Sequence, residues 1–220
     1  MASYRMVKGV EHSGLILAIE SAVAGGSISL IRDGHIIAGS SGGGSISRAE
    51  DLLLGIDRLL KGSCIEKTEL ARVAVSIGPG SFTGLRIGIS TAMGLSKALG
   101  VPCTGVPLFE AIAASTLSTL AIVVPLGRSD LCFRLYEGGI SQGGQLVGDM
   151  AEFTSFVRYN RPENIAHHPE VDLSHFHVDS IDAGLIDIGH DLAQYVGRFA
   201  AVSADTGPLE PIYVRNPRFA

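Results

Sequence analysis

The chain has no run of lysine and arginine, no apolar stretch long enough to cross a bilayer, and only three cysteines in 220 residues. Each shortage removes a class of protein. Phosphate affinity comes mainly from clustered Lys and Arg. At a net charge of −5 this chain is a poor stand-alone binder of nucleic acid, so any RNA substrate needs a partner to hold it. The most apolar stretch, LAIVVPL, falls far short of the ~20 residues a spanning helix requires. The opening MASYRMVKGVEHSG lacks the apolar core of a secretory signal. Cys64, Cys103 and Cys132 are widely spaced and form no CxxC pair. They read as small buried hydrophobes in a reducing compartment, which makes the expected location cytoplasmic.

What is present is a patterned, core-forming sequence, 46% hydrophobic. GLILAIESA is a continuous apolar run, as in a strand covered on both faces. GGSISLIRDG and HIIAGS follow as two more strands, joined by the hairpin signal Asp33-Gly34. Ser47 and Glu50 have capping-box spacing. After them Ala49, Leu52, Leu53, Ile56, Leu59 and Leu60 recur at helical spacing, and Gly62 suits the stop. Leu54 lies off that face and is a candidate partner contact. ARVAVSIG predicts a buried strand, and a second helix is expected from about Leu85 to Leu99.

Pro102, Gly105 and Pro107 mark a domain boundary. Beyond it LAIVVPL, LCFRLYE and GGQLV read as strands. A last helix is expected over 183–200, with Leu185, Ile188, Leu192, Val196 and Phe199 on its apolar face. The segment 157–180 has no clear pattern, and LEPIYVRNP reads as an extended tail. The predicted organisation is a tail (1–13), an N-terminal subdomain (14–106) and a C-terminal subdomain (107–220) whose last helix packs back. The plan β-β-β-α-β-α with a partial second copy predicts an α/β protein with two mixed sheets flanked by helices. Actin-like and sugar-kinase-like proteins share it and bind nucleotide between their halves.

The junction GPGSFTGLRIG (78–88) carries four glycines. Pro79-Gly80 predicts a type II turn with positive φ at Gly80. Ser81 or Thr83 can cap the following helix, whose free N–H groups can hold an anion. The spacing matches neither a Walker A loop nor G-x-G-x-x-G, and no lysine is at hand. An anion or nucleotide loop built from Glu20, Ser21, Gly80, Ser81 and Thr83 is therefore the weaker reading. Gly84, Gly88, Ala92, Ser96 and Gly100 recur every four residues, a stripe that lets another backbone approach closely. That backbone belongs either to the chain's own sheet or to a partner helix. Interior Gly88 and Gly94 each need a reason, because glycine costs roughly 1 kcal/mol against alanine in a helix. His167, His168, His175 and His177 lack H-E-x-x-H spacing and read as a solvated loop rather than a metal site. No G-x-S-x-G elbow is present.

ILAIES at 16–21, GPGSFTGLRIG at 78–88 and PIYVRNP at 211–217 together resemble the TsaB (YeaZ) family, in order along nearly the whole chain. The resemblance implies the actin-like ATPase (ASKHA, RNase H-like) fold. It also implies a role as a non-catalytic scaffold in forming N6-threonylcarbamoyladenosine (t6A) at position 37 of tRNAs reading codons that start with A. The catalytic partner implied is the paralogue TsaD, with the ATPase TsaE joining the complex, tRNA engaged indirectly and a homodimer when alone. No catalytic residue, metal or tightly bound cofactor is expected, while ATP or ADP at the partner interface stays open. The implied partner face lies on the first two helices, at Arg48, Asp51, Leu52, Leu85, Gly88, Ile89, Ala92, Met93 and Ser96. This chain departs from the family's pattern at Glu20-Ser21, where Asp-Thr is usual. It also departs at Ser47-Arg48-Ala49-Glu50, where a histidine is frequent, and at Leu126-Gly127-Arg128. Two other classes remain as alternatives: an actin-like ATP-dependent phosphotransferase and, behind it, a metallopeptidase.

Overall fold

The computed structural model describes residues 14–41, 49–116, 118–127, 129–177, 181–203 and 207–214. The expected tail, the cap residue Ser47, and Arg48 and Arg128 lie outside them.

Strand β1 (Leu15–Glu20) is buried along its whole length because both faces are covered. Its side chains alternate, as strand geometry requires. Leu15, Leu17 and Ile19 enter one core, and Ile16 and Ala18 enter another. β2 (Ser27–Arg32) and β3 (His35–Ser41) complete an antiparallel meander. The β2–β3 turn takes positive φ at Asp33 (51°) and Gly34 (74°), the combination that matches strand twist. Helix α1 (Ala49–Gly62), strand β4 (Leu70–Gly78), helix α2 (Phe82–Leu99) and strand β5 (Cys103–Pro107) follow. β4 and β5 add in parallel, giving the order β3-β2-β1-β4-β5.

The short helix α3 (Leu108–Ala113) leads into a second sheet of the same design. β6 (Leu120–Pro125), β7 (Leu131–Glu137) and β8 (Ile140–Gly148) form its meander. They are followed by helix α4 (Met150–Asn160) and by β9 (Asn164–His167) and β10 (Gly184–Asp187) in parallel. The order β10-β9-β6-β7-β8 repeats the first sheet strand for strand. Even the tight turn recurs, with positive φ at Gly138 and Gly139. Where the first half has α2, the described residues of the second hold a 3-10 turn at Ser174–His177.

The expected helix over 183–200 is corrected: Gly184–Asp187 is strand β10, and helix α5 spans only Ala193–Val202. Gly189, at φ 71°, separates the two, and the Asp187 carboxylate accepts its N–H at 2.7 Å. The end of α4, strand β9 and a 3-10 turn at Ser174–His177 fall in the stretch 157–180, in which the sequence shows no clear pattern.

The layers follow from three apolar clusters. α1 and α2 cover one face of the first sheet. α3 and α5 lie between the two sheets. The outer face of the second sheet is covered by α4 with Phe176. α5 therefore packs on the N-terminal sheet although it follows β10. Gly197 makes this possible, since a Cβ there would strike Ile31 and touch Ala18. Ser27 Oγ accepts the Ala193 N–H at 2.8 Å at one end of α5, and Arg72 Nη1 donates to the Ala200 carbonyl at 3.0 Å at the other. A cation at helix C-terminal carbonyls is a favourable cap. No helix of the described residues is long and apolar enough to cross a membrane.

Candidate functional site

Two features remain as candidates: a cleft between the two halves, and the outward surface of α1 and α2.

The cleft begins where β1 ends. Glu20 is fully buried, and its Oε1 accepts the N–H groups of Ala22 (2.7 Å) and Val23 (3.1 Å). Its Oε2 is buried without a partner. Burial raises its pKa to about 7, and the two backbone bonds pull only weakly the other way. Glu20 is therefore the fastener of the β1–β2 turn, facing inward.

That turn is clamped onto α2. Ser21 Oγ donates to the Gly84 carbonyl at 2.8 Å, and the Ser81 N–H donates to the Ala22 carbonyl at 2.8 Å. Ser81 caps α2, its Oγ accepting the Gly84 N–H at 3.1 Å, so the helix starts at Phe82 rather than Leu85. A Cβ on Gly80 would strike Ala22, one on Gly84 would strike Ser21 and Ala22, and one on Gly88 would strike the Ser21 hydroxyl. The glycine stripe thus answers to the chain's own turn. The expected type II turn at Pro79-Gly80 is also corrected. The Gly78–Pro79 peptide is cis, and the positive φ (114°) belongs to Gly78. The cleft itself, about 220 Å³, runs between Ser21, Ala22 and Ser81 on one side and Pro125, Leu126 and Gly127 on the other. Small-molecule pockets usually hold about 300–1,000 Å³. No cation from a described residue lines it, and Ser21, Ser81 and Glu20 already hold the turn. Of the residues of the expected anion loop, Glu20, Ser21, Gly80 and Ser81 come together in this turn–helix clamp beside the cleft, and Thr83 is exposed.

α2 presents a different face outward. Phe82, Arg86, Ser90, Met93 and Lys97 are exposed and fall on one stripe, opposite the glycines. Arg86 and Lys97 are the helix's only charges, and it holds no acidic residue. On α1, Leu53 and Leu54 are about half exposed, at 51% and 54%. Tyr213, from the extended segment 207–214, packs beside Phe82.

The family model for TsaD, tRNA N6-adenosine threonylcarbamoyltransferase, matches residues 45–157, just over half of the chain. The chain belongs to the TsaD family, on its TsaB (YeaZ) side. An uncharacterised Mycobacterium leprae protein is 30% identical over 159 residues, covering 69% of this chain and 44% of its own length. The tRNA threonylcarbamoyladenosine biosynthesis protein TsaB of Bacillus subtilis is 28% identical over 111 residues, 50% of this chain and 48% of that protein. The chain thus spans about half the length of the curated relatives it matches. YeaZ from Pseudomonas aeruginosa shares the fold with a TM-score of 0.61 at 18% identity, over 91% of this chain and all of that one. The expected actin-like ATPase fold is the one observed.

Against this TsaB-type background, the residues expected at a partner face divide. Leu52, Leu85, Ile89 and Ala92 are buried in the chain's own core and Gly88 beneath Ser21. Their side chains are already covered by the chain's own sheet and turn, so they offer little surface to a partner. Met93 is 52% exposed, while Asp51 and Ser96 are half-buried, Ser96 Oγ donating to the Val101 carbonyl at 2.6 Å. The surface residues that sequence reasoning passed over are Phe82, Arg86 and Tyr213, and Leu53, expected on the apolar face of α1, is exposed instead. For α2 the signal was available: Phe82, Arg86, Met93 and Lys97 have helical spacing on the side away from the glycines. Leu54, singled out in the sequence, is exposed.

The histidine segment is partly described. His168 is buried, with its ring edge-on to His190 (centroids 5.0 Å apart) and its Nδ1 accepting the Glu170 N–H at 3.2 Å. Burial and the neighbouring His190 push its pKa down to about 4. The side chains of His175 and His177 lie outside the described set. Among the described residues no three His, Cys, Asp or Glu gather as a metal site.

Proposed function

We propose that this chain is a non-catalytic subunit in the formation of N6-threonylcarbamoyladenosine at position 37 of tRNAs reading codons that begin with A. It acts by pairing with the catalytic protein TsaD. The observation that carries this reading is the contrast between its two candidate sites. The interlobe cleft is small and lined on one side by the chain's own turn, while α1 and α2 turn Leu53, Leu54, Phe82 and Met93 to solvent. Large apolar side chains grouped on neighbouring elements suit a protein partner. The family match and the biosynthetic role in the names of curated relatives support the choice of pathway.

In this reading TsaE joins through the TsaD complex, and a second copy of the chain covers the same face when TsaD is absent. Any ATP or ADP belongs at the joint between subunits. tRNA is held chiefly by the partners, in keeping with the net charge of −5. The test is reconstitution. Purified TsaD, TsaE, tRNA, threonine, bicarbonate and ATP, with the enzyme that makes the threonylcarbamoyl donor, are assayed with and without this chain. Modified nucleoside is expected only when it is present. Modification at the same rate without it, or no association with TsaD on co-purification, overturns the reading.

A further inference from the structure

We infer that Phe82, Arg86 and Tyr213 form a preassembled clamp for a carboxylate on the partner protein. The inference rests on the proposed pairing with TsaD and names residues that its interface would use.

The clamp is assembled by the segment 207–214, which returns to the N-terminal sheet. The Gly105 N–H donates to the Gly207 carbonyl at 3.1 Å, and the Ile212 N–H donates to the Ile77 carbonyl at 2.7 Å. Gly78 leaves the space this needs, since a Cβ there would lie 2.8 Å from the Ile212 carbonyl oxygen. With Ile212 fixed, Tyr213 lands on the first turn of α2. Its ring lies 4.9 Å from that of Phe82, tilted by 34°.

Arg86, one turn along from Phe82, is held from two sides. Its guanidinium carbon sits 3.8 Å above the Phe82 ring, and its Nε donates to the Tyr213 hydroxyl at 3.4 Å. Among the described residues neither Nη1 nor Nη2 has a partner. The result is an exposed guanidinium fixed in orientation with its fork open. A planar fork suits bidentate recognition of an oxyanion, and holding it in place beforehand lowers the ordering cost of binding. Arginine and tyrosine are also the side chains most often found at interface hot spots.

A protein carboxylate and an RNA phosphate offer the same oxyanion chemistry. The surroundings favour protein. The fork continues the stripe that carries Met93, an apolar contact residue. Arg86 and Lys97 are the only cations on α2, and the chain as a whole is acidic. RNA binding requires clustered cations.

Calorimetric titration of purified TsaD into the full chain tests the clamp, with Arg86→Gln, Arg86→Lys and Tyr213→Phe compared with wild type. Arg86→Gln is expected to weaken binding at least about tenfold. Arg86→Lys is expected to lose nearly as much, because a lysine keeps the charge but not the fork. Tyr213→Phe keeps the ring and loses the Nε contact, so a smaller loss is expected. Wild-type affinity in a correctly melting Arg86→Gln variant overturns the clamp. Should that variant melt early, wild-type affinity in Arg86→Lys overturns it instead. Intact TsaD affinity combined with weakened tRNA binding also overturns it, in favour of phosphate. Failure of the wild-type chain itself to bind TsaD defeats the functional reading and the clamp together.

Discussion

The Ser21 hydroxyl donates to the Gly84 carbonyl at 2.8 Å, and this bond joins the end of the first strand to the first turn of α2. Four residues further along the helix, a Cβ on Gly88 would strike the same hydroxyl. The close approach that the small-residue stripe permits is thus already taken, within the chain.

Gly84→Ala should destabilise the fold by about 1–3 kcal/mol or more, because the new methyl meets backbone, at 2.7 Å from the Ala22 Cα, rather than a movable side chain. Gly94→Ala, in the same helix, should stabilise by about 0.5–1 kcal/mol, since its Cβ meets open space. Urea unfolding of the two variants checks the opposite signs. Gly88→Leu would press on the Ser21 hydroxyl beneath it, so it reports on folding and is a poor probe of partner docking.

Glu20 should make stability depend on pH. Its folded pKa, about 7, lies above the ordinary 4.5, so its folded state binds the proton more tightly. The contribution is fully present below about 4.5 and is lost as pH rises through about 7, on the order of 3 kcal/mol in total. Glu20→Gln should flatten this part of the stability–pH curve, read by urea midpoints between pH 4.5 and 8. A wild-type slope in the variant would exclude Glu20 as the source.

His168 should act in the opposite direction. Its pKa is lowered to about 4 by burial and by His190, with Asp187 opposing and His167 adding to the shift. A buried neutral histidine contributes stability above its unfolded pKa near 6.5, and that contribution is lost as pH falls toward 4. Proton NMR of the ring should show His168 titrating near 4. His168→Gln should flatten the acid limb; a histidine titrating near 6.5 at this position would refute the expectation.

Leu54→Asp and Met93→Asp should leave the melting temperature nearly unchanged, because both side chains are more than half exposed. Each should weaken association with TsaD by about tenfold or more in a calorimetric titration. Full affinity in both variants would move the partner face away from α1 and α2.

Much of the first half was legible in the sequence. β1 reads as a continuous apolar run because it is covered on both faces, and Asp33-Gly34 marks the β2–β3 hairpin by the positive φ that both positions adopt. The stretch from 184 to 200 misled because Leu185, Ile188, Leu192 and Val196 have helical spacing although a strand, a turn and a helix share them. Leu185 is exposed on β10, while Val196 is buried on α5. Periodicity records which residues are apolar, and it does not see the Gly189 break or the pairing with β9.

The sequence by itself determined the class of fold, the two-part plan, the lack of a Lys/Arg run and the strand–turn–helix at GPGSFTGLRIG. These are local matters of side-chain period, turn chemistry and charge. Only the tertiary structure decided what the glycines face and that Glu20 fastens a turn from inside. It also brought Tyr213 to Arg86, residues 127 positions apart. Such pairings depend on how distant segments pack, and a helix shows the same stripe in sequence whether its own chain or another lies against it.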